Sequence, residues 1–405
     1  IVPHFSDFHS SYITAPFAAM GYQLEILPPA DEESRNYGLK YVNNEICYPA
    51  TLVIGDILKA LMSGRYRPEE VAVGITQTGG QCRASNYLSL IKKALAKNGF
   101  HDTPVVGVSV LKKSINKQSG FELDRKLLTI QGVIGMMFGD AISDMYYAIA
   151  PREITVGTAR AAADKFLALV TPLVAANDLE ETLELLDRAV EEFNSIDIDT
   201  KKVVPSIGLI GEIYVKYSPY GNHHIVEKLV RAGVQVLVPP LVNMFAQWLV
   251  NVEVKHRFHI DSRFPHAQLA FAYRMLFNRY TKKFDSSLRR FRYYSPRAGL
   301  KELAQKAEKL IDLSTHYYGE GWLIAADIGE FAEKGIKNVL CLQPFGCIAN
   351  HIVAKGIEKS IRDSYPEMNV LFLDIDHGLS EVNLHNRLYL LLRDAMGAAA
   401  DRVKF

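Results

Sequence analysis

Apolar positions along the first 120 residues switch repeatedly between two periods. Short runs rich in β-branched residues alternate with stretches in which apolar residues recur every three to four positions. Residues 1–4, 23–27, 71–76 and 104–110 read as strands, the last two as continuous buried runs (Val-Ala-Val-Gly-Ile-Thr and Pro-Val-Val-Gly-Val-Ser-Val). Residues 15–20, 31–42 and 85–96 read as helices. Another opens at Pro49, with Leu52, Val53, Ile57, Leu58 and Leu61 at helical spacing. Gly21 and Pro28-Pro29 are stop signals for the elements before them. This alternation predicts an α/β fold with a parallel sheet.

The pattern changes from about residue 121. Strand signals vanish, and 127–150, 158–174 and 179–195 read as long helices, the last Glu-rich on one face. A second alternation begins near Val203. Strands are expected at 204–211, 235–238, 338–342 and 369–374, and helices at 224–232, 350–364 and 380–395. The predicted organisation is a first Rossmann-like parallel-sheet domain over 1–120, a helical region over 121–202, and a second Rossmann-like domain over 203–405. A helical insertion of about 241–335 interrupts the second. The two halves look like a loose duplication of architecture, without a short sequence repeat.

Composition narrows the function. The chain is 48% hydrophobic and 22% charged, with a formal net charge of +1. No basic run suggests nucleic acid, and Arg289-Arg290-Phe291-Arg292 reads as a solvated helix face. No apolar run reaches the ~18 residues of a membrane span. Four cysteines in 405 residues are too sparse for a disulfide framework and form no C-x₂₋₄-C pair. A reducing, cytoplasmic setting is expected. The chain starts at Ile1 rather than Met, which suggests a piece of a longer polypeptide.

Three of those cysteines carry the candidate chemistry. Cys47 lies in Asn43-Asn44-Glu45-Ile46-Cys47-Tyr48-Pro49, Cys82 in Thr78-Gly79-Gly80-Gln81-Cys82-Arg83, and Cys347 in Gln343-Pro344-Phe345-Gly346-Cys347. Each sits where a strand or loop gives way to a helix start. In an open α/β domain such points share one sheet edge, and helix N-termini favour thiolate charge. Three thiolates can hold a [4Fe–4S] cluster and leave one iron open; the bland alternative is three small buried hydrophobes. Arg83 is placed to lower a thiol pKa or balance cluster charge. Cys341, inside Val339-Leu340-Cys341-Leu342, reads as core. Gly79-Gly80 matches neither a Walker A nor a G-x-G-x-x-G motif.

Glu45, Gln343 and His351 are the candidate catalytic groups, with Gln81 a further neighbour of the cysteines. Each can equally order its own loop, and His351 can act as a helix cap. Glu212 and Tyr214 offer acid or base groups to the cleft, or an ion pair or cap. His223-His224 are candidates for metal binding or proton transfer. Asp374, Asp376 and His377 fit either a divalent metal or an Asx turn.

The three cysteine loops together, Asn-Glu-Ile-Cys-Tyr-Pro, Thr-Gly-Gly-Gln-Cys-Arg and Gln-Pro-Phe-Gly-Cys, resemble the 2-hydroxyacyl-CoA dehydratase superfamily. More closely, the chain is similar to the last portion of long CoA-substrate-specific enzyme activase-related proteins. The resemblance covers essentially all 405 residues. It implies two Rossmann-like domains and one [4Fe–4S] cluster on Cys47, Cys82 and Cys347. It also implies an ATP-dependent activase module, in cis or trans, that delivers low-potential electrons. The substrate would be an acyl-CoA or a small molecule, and a dimer is compatible. An electron-transfer or regulatory module, or a structural zinc domain with three Cys and one further ligand, remains the alternative.

Overall fold

The computed structural model describes residues 1–43, 46–76, 82–108, 120–260, 264–316 and 320–397. The first parallel sheet is built on β1 (Val73–Thr76) and β2 (Val105–Val108), paired from Val73↔Val105 to Thr76↔Val108. The chain start lies beside β1: the Ile1 amine donates to Ala72 O at 2.8 Å and Gly74 N to Ile1 O at 2.9 Å. On its other side, Val2 forms a single parallel bridge with Ile26. The strands expected at 1–4 and 23–27 therefore shrink to one bridge. Pro3 lacks the N–H that would continue the pairing toward β1, and Pro29 the one that would continue it toward the chain start.

Helix α1 (Thr14–Ala19) stops just before Gly21, whose φ is +82°. Helix α2 (Glu32–Tyr41) starts on a capping box between Asp31 and Ser34, and α3 (Tyr48–Met62) carries Pro49 in its first turn. These two helices cross almost backbone to backbone. A Cβ on Gly55 would lie 1.8 Å from Ser34 O, and one on Gly38 would lie 2.0 Å from Thr51 O. We expect Gly55→Ala to destabilise the fold by about 3 kcal/mol, the upper end for overpacking, through forced separation of α2 and α3. Urea titration checks this, and an unchanged midpoint would mean the crossing can relax without cost. Helix α4 (Tyr87–Lys97) connects β1 to β2.

Three helices follow, α5 (Arg125–Ile149), α6 (Thr158–Ala176) and α7 (Leu179–Ser195). Phe138, Phe166, Val170, Leu186 and Phe193 form a buried core among them. In the Arg289–Arg292 stretch, Arg290 pairs with Asp187 and Arg292 donates to Ile196 O at 2.8 Å.

The second sheet contains β3 (Ser206–Gly211), β4 (Gln235–Leu237), β5 (Asn338–Pro344) and β6 (Asn369–Ile375), all parallel, in the order β4-β3-β5-β6. Helices α8 (Ile213–Tyr217) and α9 (Ile225–Arg231) join β3 to β4. The long excursion from β4 to β5 carries α10 (Leu241–Ala246), α11 (Trp248–Arg257), α12 (Phe264–Leu288), α13 (Leu300–Ala307) and α14 (Leu323–Glu333). The helix expected at 350–364 is two helices, α15 (Ile348–Val353) and α16 (Glu358–Ser364). The break falls at Ala354 (φ −115°, ψ −76°), just before Gly356, which costs a helix about 1 kcal/mol relative to Ala. Helix α17 (Glu381–Met396) closes the described chain, capped by Ser380.

Both sheets follow one plan. In each, the second segment in the chain lies outside the first, and the third and fourth follow on the other side. Cys82 comes after the third segment of the first sheet, and Cys347 after the third strand of the second. In the second sheet, Leu209, Leu340, Leu342 and Leu373 share a core with residues of α9 and α17. Ile210, Val339, Cys341 and Phe372 belong to the core of the helical layer. The chain thus leaves β3 and β5 toward opposite faces. The crevice between their carboxyl ends is a topological switch point, where open α/β sheets bind ligands.

Candidate functional site

Each of the three cysteines is the residue immediately before a helical segment. Cys47 precedes α3, Cys347 precedes α15, and Cys82 precedes a 3₁₀ turn, Arg83–Asn86, that runs into α4. The helix starts that follow them meet at the switch point. Tyr48 N donates to Phe345 O at 3.0 Å, tying the Cys47 loop to the Cys347 loop. Gly346, at φ +77°, lies flat against the same junction. A Cβ there would sit 3.2 Å from Cys47 N and 3.1 Å from an Arg83 guanidinium nitrogen, so only glycine suits the position. Cys47 Sγ lies 2.8 Å from the hydroxyl of Tyr87, the first residue of α4. The Cys82 thiol feels the charge of Cys47, and both feel Glu212.

Arg83 acts on a thiol in the expected direction, lowering the pKa of Cys47, but burial of the site outweighs it. Desolvation pushes Cys47 up to about 11, against opposing contributions from Tyr87 and Arg83. It pushes Cys82 up to about 12 and Cys347 further still. With nothing bound, all three are neutral thiols near pH 7. Cys341 is fully buried in β5 and belongs to the core.

Glu212 follows β3 and caps α8, its Oε2 accepting from Val215 N at 3.0 Å. It is also more than a cap. The residue keeps some surface in the crevice, but its carboxyl is enclosed, and burial beside Glu320 pushes its pKa up to about 8. Glu320 is pushed up too, by burial. Its Oε1 accepts from Ile213 N at 3.0 Å and its Oε2 from Asn350 Nδ2 at 3.1 Å. The same Asn350 Nδ2 donates to Cys347 Sγ at 3.3 Å. A carboxyl pair able to hold a proton at neutral pH is thus linked through one amide to a cysteine sulfur. Glu320 also borders a small cavity lined by Gly211, Lys216, Asn243 and Asp327. Burial lowers the Lys216 pKa and raises that of Asp327 to about 7.

Glu320, Asn350, Tyr87 and Lys216 were not singled out by sequence reasoning. Asn350 had an available signal, three residues after Cys347 at the start of the same helix. Glu320 had a weaker one, flanked by Gly319 and Gly321.

Of the candidate catalytic groups, Gln343 ends up fully buried near the carboxyl end of β5, and neither atom of its amide has a hydrogen-bond partner among the described residues. His351 lies on α15 with an exposed side chain, its backbone N–H donating to Cys347 O at 3.2 Å. Glu45, Gln81 and Gly79-Gly80 lie outside the described residues. Tyr214 is buried in α8. His223 and His224 both have positive φ, and His224 Nδ1 is 3.3 Å from Glu227. Asp376 accepts from Gly378 N at 2.7 Å, the turn reading of that segment, while Asp374 is exposed. His377 packs on Tyr48 with ring centroids 4.6 Å apart, and burial lowers its pKa to about 4.

Among the described residues, no three His, Cys, Asp or Glu side chains gather closely enough to hold a metal ion, and no helix is long and apolar enough to cross a membrane. No curated protein matches the chain. A protein-family model, that of the CoA enzyme activase uncharacterised domain, matches residues 9–242, a span that includes Cys47, Cys82 and Glu212 but not Glu320 or Cys347. That span is more than half of the sequence, and the chain belongs to the CoA enzyme activase uncharacterised domain family.

Proposed function

We propose that Cys47, Cys82 and Cys347 hold a [4Fe–4S] cluster with one iron free of protein ligands. In this reading the protein is the iron–sulfur component of an ATP-activated, low-potential reductase or 2-hydroxyacyl-CoA dehydratase-like system. The observation that carries it is that the helix starts after three cysteines, from distant parts of the chain, meet at the switch point of a parallel sheet. The shared strand order of the two sheets is compatible with two Rossmann-like units, over 1–120 and 203–405.

Three thiols are a donor set that an iron–sulfur cubane can take, each thiolate on a different iron with one iron left open. Sulfur-directed donors are at hand in the Tyr87 hydroxyl and the Asn350 amide. Cys341 is held inside the β5 ladder, leaving three thiols for the site.

When bound, such a cluster supplies one-electron reduction at low potential and an open coordination position. The chain's own residues do the rest. The protein around the thiols limits water, and Arg83 lies beside Cys47 as a fixed positive charge. Glu212 and Glu320 hold a proton beside the crevice. An ATP-dependent activase module, in cis or trans, is the partner this reading requires, with an acyl-CoA or a small molecule as substrate.

The test is iron and acid-labile sulfide analysis, with EPR after reduction, on protein reconstituted without oxygen. About four irons per chain with a cubane signal is the expected result. Stoichiometric zinc, or no iron after reconstitution, sinks the proposal and leaves a structural or regulatory domain.

A further inference from the structure

Asn350 is fully buried, yet its amide is used at one end only. Its Nδ2 donates to both Cys347 Sγ and Glu320 Oε2, while its Oδ1 has no hydrogen-bond partner among the described residues. A buried amide oxygen without a partner is costly, and an apolar side chain of the same size would avoid that cost. Its position in the first turn of α15 places it over Cys347, three residues earlier. With the sulfur as a thiolate ligand and a Glu320 carboxyl oxygen beside it, both neighbours accept, and the NH₂ group is the end of the amide that meets them.

We propose that Asn350 is a positioning residue that sets the reduction potential of the metal group at Cys347. This rests on the cluster reading above. Adding one electron to a cluster places extra negative charge on its iron and sulfur. A hydrogen bond to a ligating sulfur stabilises that charge and makes reduction easier. The electron comes from an external low-potential donor, and no bond to sulfur is made or broken. Glu320 has a second function in this arrangement: as the other acceptor of the same NH₂ group, it anchors the amide against the sulfur. Ile213 N holds Glu320 from the opposite side at 3.0 Å.

The experiment is a redox titration of reconstituted Asn350→Leu and Asn350→Asp beside the unsubstituted protein, followed by EPR, with iron counted in each. Leu removes the donor at nearly constant volume. Asp keeps the shape and replaces the amide NH₂ with a carboxyl oxygen. We expect full iron in both variants and a more negative potential. In Asn350→Leu the reduction constant should fall about tenfold, or about 59 mV for a one-electron couple, and in Asn350→Asp at least as far. Asn350→Gln, which retains a donor, should recover part of the shift.

Full iron at an unchanged potential in either variant overturns the inference. Loss of iron from both also overturns it, because Asn350 would then serve the fold rather than the potential. Absence of iron from the unsubstituted protein strikes at the cluster reading instead, so the two failures are separable.

Discussion

Cys47→Ala, Cys82→Ala and Cys347→Ala should each abolish iron binding, and Cys341→Ala should leave it intact. A cubane held by three thiolates has no spare protein ligand, so removing any one leaves two and an exposed, labile cluster. The three sites differ in what else they lose. Cys47→Ala leaves the buried Tyr87 hydroxyl without its sulfur partner. Cys347→Ala removes one of the two acceptors of Asn350. Cys82→Ala removes the only one of the three thiols with appreciable surface and should perturb the fold least. Cys341→Ala takes one sulfur from a packed strand and costs about 1 kcal/mol in core contacts. Iron and sulfide per chain, with circular dichroism to check folding, decide the matter. Iron lost from Cys341→Ala alone would mean the ligand assignment is wrong.

The second large effect is on stability against pH. Glu212 is raised to about 8, and Asp327 and Asp56 to about 7, in each case chiefly by desolvation. The folded state holds these protons more tightly than the unfolded chain does. Their contribution to stability is therefore complete below the ordinary carboxyl range and declines as pH rises through 7 to 8. His377, lowered to about 4, works in the opposite sense, and its contribution is lost only as pH falls below about 6.5. Above that value the buried carboxyls dominate among these groups.

Glu212→Gln should flatten the alkaline limb. The Gln carbonyl can still accept from Val215 N, but the unfolded chain no longer gains by ionising at that position. At about 1.4 kcal/mol per pKa unit, the variant should be more stable at pH 8 by several kcal/mol and equal to the parent near pH 4. Urea titrations at those two pH values read this directly. Equal midpoints at pH 8 would mean that Glu212 is ionised in the fold.

The local elements were legible in the sequence because their causes are local. Val73–Thr76 and Val105–Val108 are short β-branched runs, α3 begins at a proline, and α7 separates a Glu-rich face from a buried one. The cysteines' settings were legible for the same reason: Pro49 and the Gly346 turn announce a helix start beside Cys47 and Cys347. Where the reading erred, a competing local signal was present. Prolines cut the first two strands to a bridge, and Gly356 lies at the break between α15 and α16.

Tertiary structure decided the rest. Burial raises the thiols despite Arg83, because desolvation depends on everything packed around a group and not on its neighbour in sequence. Glu212 was visible as an acid or a cap, but its proton is held by enclosure beside Glu320, over a hundred residues away in the chain. Asn350 meets Glu320 and Cys347 through one amide only because the fold brings both to it. The sequence by itself determined which segments become strands and helices and where three thiols meet helix starts. Folding alone determined that those starts share one crevice and which charges survive inside it, since both depend on contacts that no local pattern encodes.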